Sequence, residues 1–439
     1  RCPTSAEQRM RVLVQNATRA MWFHQQIRDL APELDGPSRT NSAGKRYFEA
    51  RGITIGPDTV SIPGEVPSQR PSIRTDTTPG EESGTVVLAD GQIAQGPDTL
   101  AARNVIAQEH NFTALMRGTV YTMQWSASLG LTMSMDESGG DFAPFRQLER
   151  DGRAITRLRV TLRPNDEPQS GMPDRVEPPE SVVPEIVAYV ENTVPDFGNN
   201  MYRVVKMGES IAPLGHFYGY DPLPSNYDEA VRVVAKNGWS YDQHNIGIEQ
   251  GRAMLGVWEQ VNEEFPITEF RWSLGHIFAF DTEEFDRMYA LGAGAALHSL
   301  KYTTHTFAPG NIPYRTAFNH PIHAAGGTDG GNITTINPWN ALYFMTTGLN
   351  SAGEQVLGTG DEGETVTRRQ ALQMYTKDAA WFTFDEHQLG SLEIGKLADM
   401  VILSHDYDTV PDEALRLMHS VVTIVDGNIV YSNGDLLNC

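Results

Sequence analysis

Cysteine is almost absent: Cys2 and Cys439 stand at the two ends of 439 residues, with none between them. Only one internal disulfide could therefore form, joining the termini, and two separate thiols fit the sequence as well. So few thiols leave cytoplasm, periplasm and exterior all open as compartments. Apolar runs are short. None approaches the ~18 residues that a membrane-spanning helix requires, so a soluble chain is expected. A signal peptide is also missing, and the opening at Arg1 is what a processed or incomplete product would show. The three Asn-x-Ser/Thr sites, at Asn16, Asn111 and Asn332, are no more than this composition supplies by chance. Positive charge is scarce, with 34 Lys and Arg against 56 Asp and Glu and a formal net charge of −22. That balance disfavours nucleic acid and anionic lipid as partners. The acidic residues are spread along the chain as a solvated surface would have them, and say little about a substrate. Low-complexity segments and 20–50-residue repeats are absent, which excludes a solenoid.

What is present reads as a globular chain with many loops, 40 % hydrophobic and carrying 40 Gly and 26 Pro. Residues 6–30 show apolar positions at helical spacing without Pro or Gly, predicting a long helix. From 32 to 98 the chain is rich in Pro, Gly, Ser and Thr, too long for an ordinary connection, and reads as an inserted excursion. A second long helix is expected over 98–127. Then a rhythm sets in. Short apolar runs occur at 131–137, 157–162, 202–207, 239–244, 270–276, 293–298 and 322–329, with helical patterns between them such as 227–238, 251–265 and 282–292. Alternating strand and helix implies an α/β fold with a parallel sheet, and a (β/α)8 TIM-type barrel needs eight strands where seven are visible. After 385 the pattern becomes short strands with Gly turns, including a hairpin around Asp426-Gly427. The expected organisation is a barrel over 1–388 and a small C-terminal β part over 389–439.

In a parallel barrel the carboxyl ends of the strands converge on one face, where active sites form. The polar residues near those ends are Asp136, Lys206, His244, His276, His298 and Asp329. Imidazoles and a carboxylate on one rim suit Zn²⁺ or a similar divalent ion, leaving a position for water. Each residue also has a plainer reading. His298 fits a hydrogen-bonded core or loop histidine, Asp329 a small polar turn residue in GGTDGG, and Lys206 a snorkelling lysine.

Several segments resemble the metal-dependent amidohydrolases, and within them the branch of N-substituted formamide deformylases. The most specific is TRRQALQMYTKDAAWFTFDEHQLGSLEIGKLADMVILS (367–404), similar to that family's last barrel helix and its return to a β-sandwich. NGWSYDQHNIG (237–247) resembles the fifth-strand histidine motif, FRWSLGHI (270–277) the sixth-strand histidine and AAGGTDGG (324–331) the eighth-strand aspartate. The lysine of VVKM stands where some members carry a carboxylated, metal-bridging lysine, and RTNSAGKRYFEARGI (39–53) resembles the segment between strands one and two. The resemblance implies His244, His276, Asp329 and Lys206 as ligands of one or two ions, zinc or another divalent metal, with Asp329 also shuttling the proton. The activity it implies is hydrolysis of an amide or formamide-like C–N bond by metal-activated water. An ester or lactone would serve the same chemistry.

Departures matter here. The family's first strand ends in His-x-His, which occurs nowhere in this chain. Ile248 and Gly275 stand where the branch has acidic residues. Two explanations compete: a missing strand supplied by an upstream segment or a second polypeptide, or a catalytically silent barrel that binds or scaffolds. Beyond a small-molecule substrate and that missing strand, the sequence is compatible with a homo-oligomer. Tyr218, Tyr220 and the Pro-rich stretch 164–184 are expected either to cover the barrel mouth or to form an ordinary exposed loop.

Overall fold

All seven expected runs form strands in the computed structural model, which describes residues 112–137, 142–163, 182–211, 223, 227–245, 247–303, 310–330, 334–360 and 363–434. The expected helix over 6–30, the excursion over 32–98, Cys2, Cys439, the three Asn-x-Ser/Thr asparagines, Tyr218, Tyr220 and all but the end of 164–184 lie outside these residues. After α1 (Phe112–Leu129) come β1 (Met133–Asp136), α2 (Ala143–Arg150), β2 (Arg157–Leu162), α3 (Val182–Glu191) and β3 (Tyr202–Met207). There follow α4 (Tyr227–Lys236), β4 (Asp242–His244), α5 (Ile248–Glu264), β5 (Ser273–Gly275), α6 (Thr282–Ala290) and β6 (Gly294–His298). The alternation ends with α7 (Tyr314–Asn319), β7 (His323–Gly327) and α8 (Pro338–Thr347).

Strands β1, β2 and β3 pair in chain order, as do β4 to β7, and every pairing is parallel. An isolated parallel bridge between Met207 and Tyr241 carries the order from β3 to β4. Sequential parallel strands with intervening helices are what right-handed βα crossovers build. Among the described residues β1 and β7 are the two edges of this succession.

The two faces of the sheet differ in chemistry. One carries Val160, Val204, Leu274 and Leu297, which join the helices in a large buried core. Trp258 and Trp272 meet edge-on there at 5.2 Å, and their indole N–H groups donate to Tyr227 Oη and the Trp239 carbonyl. The other face follows the register Arg157, Arg159 and Thr161 on β2, Arg203 and Lys206 on β3, Asp242 and His244 on β4, Ser273 and Gly275 on β5, and His298 on β6. A register shift opposite Val160–Thr161 puts Lys206 beside Thr161, where strict alternation from Arg203 would turn it to the helical face.

The base of this polar face is closed by the end of the chain. Helices α9 (Arg368–Tyr375) and α10 (Lys377–Phe382) follow α8, and Phe382 packs on Ala296 and Ala325. Arg159 and Arg203 both pair with Asp385, and Arg157 pairs with Asp399. A three-stranded antiparallel sheet then forms from β8 (Met400–Leu403), β9 (Ser420–Val425) and β10 (Asn428–Ser432), with α11 (Asp412–Leu415) between β8 and β9. The Asp426-Gly427 hairpin is as expected. Both residues have the positive φ of a type I′ turn, 54° and 76°. Thr423 on β9 donates its hydroxyl to the Ala127 carbonyl, fixing this sheet to α1. A second sheet completing a sandwich is not found among the described residues, and none of their helices is long and apolar enough to cross a membrane.

Candidate metal centre

Three strand ends converge on Glu209. The chain leaves β3 through Gly208, at φ +135°, where a Cβ would overlap the Asp242 carbonyl oxygen. Glu209 then donates its N–H to the Glu137 carbonyl just past β1 (3.1 Å) and accepts from the His244 N–H at the end of β4 (2.7 Å). Its backbone is thereby held on both sides. The next strand end supplies His276, one residue beyond β5, with a left-handed φ of 58°.

Side chains meet at the same point. One atom each of Glu209, His244 and His276 lies within 4.8 Å of the others. Glu209 Oε2 is 3.8 Å from His244 Nδ1 and 3.6 Å from His276 Nε2. Those gaps are too long for good hydrogen bonds. They are close to the spacing of about 3.4 Å between ligands that each lie ~2.0–2.2 Å from one tetrahedral ion. Arg163, one residue past β2, binds Glu209 Oε1 at 2.9 Å and leaves Oε2 turned toward the imidazoles. His276 Nδ1 is buried without a hydrogen-bond partner among the described residues. Two imidazoles and one oriented carboxylate oxygen are a suitable donor set for zinc or a similar divalent ion.

A second layer of charge lies beneath. Lys206 Nζ donates to the Arg271 carbonyl (2.9 Å) and to Ser273 Oγ (2.6 Å), and Ser273 Oγ in turn donates to Asp242 Oδ1. Burial pushes the Lys206 ammonium down to about 8 against the pull of Asp242 and Glu137. Burial also raises the Glu137 carboxyl well above the usual range, helped by the nearby charges of Asp242, Glu209 and Asp329. For Asp242 burial again acts upward and outweighs Lys206. Glu209 behaves oppositely. Burial alone would raise it, but the His244 and His276 imidazoles and Arg163 hold it well below the carboxylate range. Burial lowers His276, with His244 adding to the effect.

Of the residues singled out in the sequence, His244 and His276 come together, their rings 4.5 Å apart. His298 lies beside them, its ring 4.3 Å from that of His276. Asp329 follows β7 with φ 50° and is near enough to Glu137 to act on its ionisation, but it is outside the three-residue group. Lys206 is on the site face, with its amine on Ser273 and Arg271 rather than in that group. Asp136 ends β1, and the next residue, Glu137, is the one whose carboxyl joins the buried cluster. Ile248 opens α5 and packs on the core, while Gly275 leaves the space beside His298 and Asp242 without a side chain. Glu209, Arg163, Glu137 and Asp242 had not been singled out. Glu137, Arg163 and Glu209 lie one or two residues past the carboxyl ends of β1, β2 and β3, a region the convergence rule indicates without naming a residue, whereas Asp242 opens β4 at its other end.

A family model described as the amidohydrolase family matches residues 69–431. YtcJ of Bacillus subtilis (strain 168), which its name assigns to the amidohydrolases, is 28 % identical over 120 residues; the match covers 27 % of this chain and 22 % of YtcJ. The chain thus matches well under two thirds of that relative's length. Among solved structures, an atrazine chlorohydrolase TrzN from Arthrobacter aurescens TC1, complexed with zinc, superimposes with a TM-score of 0.53 at 17 % identity, over 74 % of each chain. An uncharacterised metal-dependent hydrolase from Pyrococcus horikoshii OT3 gives 0.51 at 16 % identity, over 76 % of this chain and 68 % of its own. At these identities the structures establish a shared fold. With the family match spanning most of its length and the fold in agreement, the chain belongs to the amidohydrolase family.

Proposed function

We propose that this chain is a metal-dependent hydrolase of an amide or formamide-like C–N bond, with zinc or another divalent ion held by Glu209, His244 and His276. The observation that carries the reading is the aim of Glu209 Oε2 at both imidazoles while Arg163 holds Oε1. When bound, such an ion polarises a carbonyl and lowers the pKa of water. Arg163 fixes the carboxylate rotamer, and Lys206 acts as the buried counter-charge of Asp242 rather than as a ligand. Asp329, on the same rim near Glu137, is assigned the transfer of the proton.

An eighth strand, not found among the described residues, belongs to the same proposal. Edges β1 and β7 would carry unpaired backbone groups if nothing lay between them. A strand from outside the described residues, or from a second polypeptide, is proposed to pair there and to bring further histidine ligands. Slow amide exchange at 133–136 and 323–327 is expected; fast exchange at both would mean an open gap.

The direct test is metal stripping and reloading. The chelated chain should take up Co²⁺ with a visible d–d spectrum, and His244→Ala or His276→Ala should lose most of that uptake. Hydrolysis of N-formyl and N-acyl amide probes should vanish on chelation and return with the metal. Uptake equal in the wild type and both variants would end the reading. Ile248 and Gly275, standing where the resembling branch has acidic residues, suit a silent scaffold instead, and specific metal uptake without turnover of amide or ester probes would support that alternative.

A further inference from the structure

We infer that His298 is a positioning residue for the metal centre, its ring fixing the backbone of His276. The inference rests on reading His276 as a ligand. His276 has a left-handed φ of 58°, a conformation that non-glycine residues rarely adopt, so something around it must hold it there. Its N–H donates to His298 Nδ1 at 3.2 Å, and the two rings lie 4.3 Å apart, tilted by 40°. One ring therefore touches the ligand twice, at its backbone and across its face.

The acceptor role fixes the tautomer. Nδ1 must keep its lone pair for the His276 N–H, so the proton of the neutral ring sits on Nε2. That nitrogen is 3.7 Å from Glu137 Oε2, and the ring is buried. The neighbouring strand leaves room for it. Gly327 pairs with His298 in the β6–β7 register, and a Cβ at 327 would come within 2.5 Å of His298 Cδ2 and 2.9 Å of Nε2. The ring keeps its place because residue 327 has no side chain. A glycine on β7, a histidine on β6 and a ligand past β5 thus form one chain of contact, and changes at its far end should reach the metal.

Residue-resolved amide exchange on the metal-free chain tests the link without any metal. The His276 amide should be protected in the wild type and exchange at least about tenfold faster in His298→Phe, which keeps a ring but loses the acceptor. His298→Asn, which retains an acceptor near the same place, should stay within about threefold of wild type. Gly327→Ala displaces the ring without removing it and should also speed exchange, which keeps the test available should His298→Phe fail to fold. Cobalt titration supplies the second readout: a loss of about 10–100-fold in affinity for His298→Phe and little for His298→Asn. Equal His276 exchange in the wild type, His298→Phe and Gly327→Ala would overturn the inference whether or not cobalt binds. A wild type that takes up no cobalt, yet shows the exchange difference, would sink the metal reading and leave the positioning role standing.

Discussion

Glu209→Gln is expected to lower divalent-metal affinity by at least about a hundredfold, beyond the 10–100-fold typical of residues that only orient ligands. Gln keeps the shape and an oxygen for Arg163 but removes the anion facing His244 and His276. Two neutral imidazoles alone would then have to hold a dication in a buried place. Lys206→Met is the matched control. If Lys206 supplied a bridging ligand, its loss would weaken metal binding as much as the loss of Glu209. The contacts to Ser273 Oγ and the Arg271 carbonyl predict otherwise. Lys206→Met should change metal affinity by less than about threefold and instead cost stability, on the order of 3–5 kcal/mol for breaking one side of a buried charge pair. Adding Asp242→Asn should return part of that loss, since the unbalanced carboxylate is then gone. Isothermal titration with Co²⁺ and urea unfolding together separate the two roles. Equal loss of metal in Glu209→Gln and Lys206→Met would reinstate the lysine as a ligand.

The alternation of strand and helix was legible because it is written in local patterns. Tyr227–Lys236 and Thr282–Ala290 carry helical apolar spacing, and the second starts with the capping box of Asp281 and Glu284. Every apolar run contains a strand, 157–162 and 202–207 residue for residue and others shortened, as 270–276 is to Ser273–Gly275, and Asp426-Gly427 named its turn type. The histidines were legible for a similar reason: His244 and His276 each end an apolar run. Glu209 was not, because its place depends on a turn. Gly208 redirects the chain after β3, and only the structure shows the next carboxylate swinging under two imidazoles from other strands. Lys206 illustrates the converse. Its place near a strand end was readable, but the face it presents depends on an irregularity in β3 and its partner is Ser273, sixty-seven residues away. Arg157 and Arg159 in RLRVTL look like solvent-facing positions of a half-exposed strand. Their actual partners, Asp399 and Asp385, are more than 200 residues downstream, and no local pattern announces them.

Those arginines carry the largest stability effect expected away from the metal centre. Asp385 is 2 % exposed at its side chain and accepts from Arg159 Nε at 2.8 Å, while Arg203 Nη2 lies 3.0 Å from its other oxygen. Arg159 is itself 1 % exposed; its Nη2 also donates to Asp385 Oδ1 at 3.1 Å, and its other hydrogen bonds go to the Leu158 and Asn200 carbonyls. Removing the carboxylate leaves two guanidinium groups close together with no anion between them. Asp385→Ala should therefore cost about 3–5 kcal/mol, the range for breaking a buried pair from one side. Arg159→Met alone should cost less, because Arg203 still balances Asp385. The double variant Arg159→Met with Asp385→Ala should cost less than the sum of the two single losses, by roughly 0.5–3 kcal/mol of coupling. Urea unfolding with an unchanged m-value is the measurement, since a shifted midpoint at constant slope isolates stability from changes in the unfolded chain. The loss should appear in metal-free protein too, because the cluster closes the base of the polar face while the metal ligands lie at the strand ends. An Asp385→Ala cost below about 1 kcal/mol, the scale of an exposed pair, would mean that water reaches this cluster and that the C-terminal segment is not anchored through it.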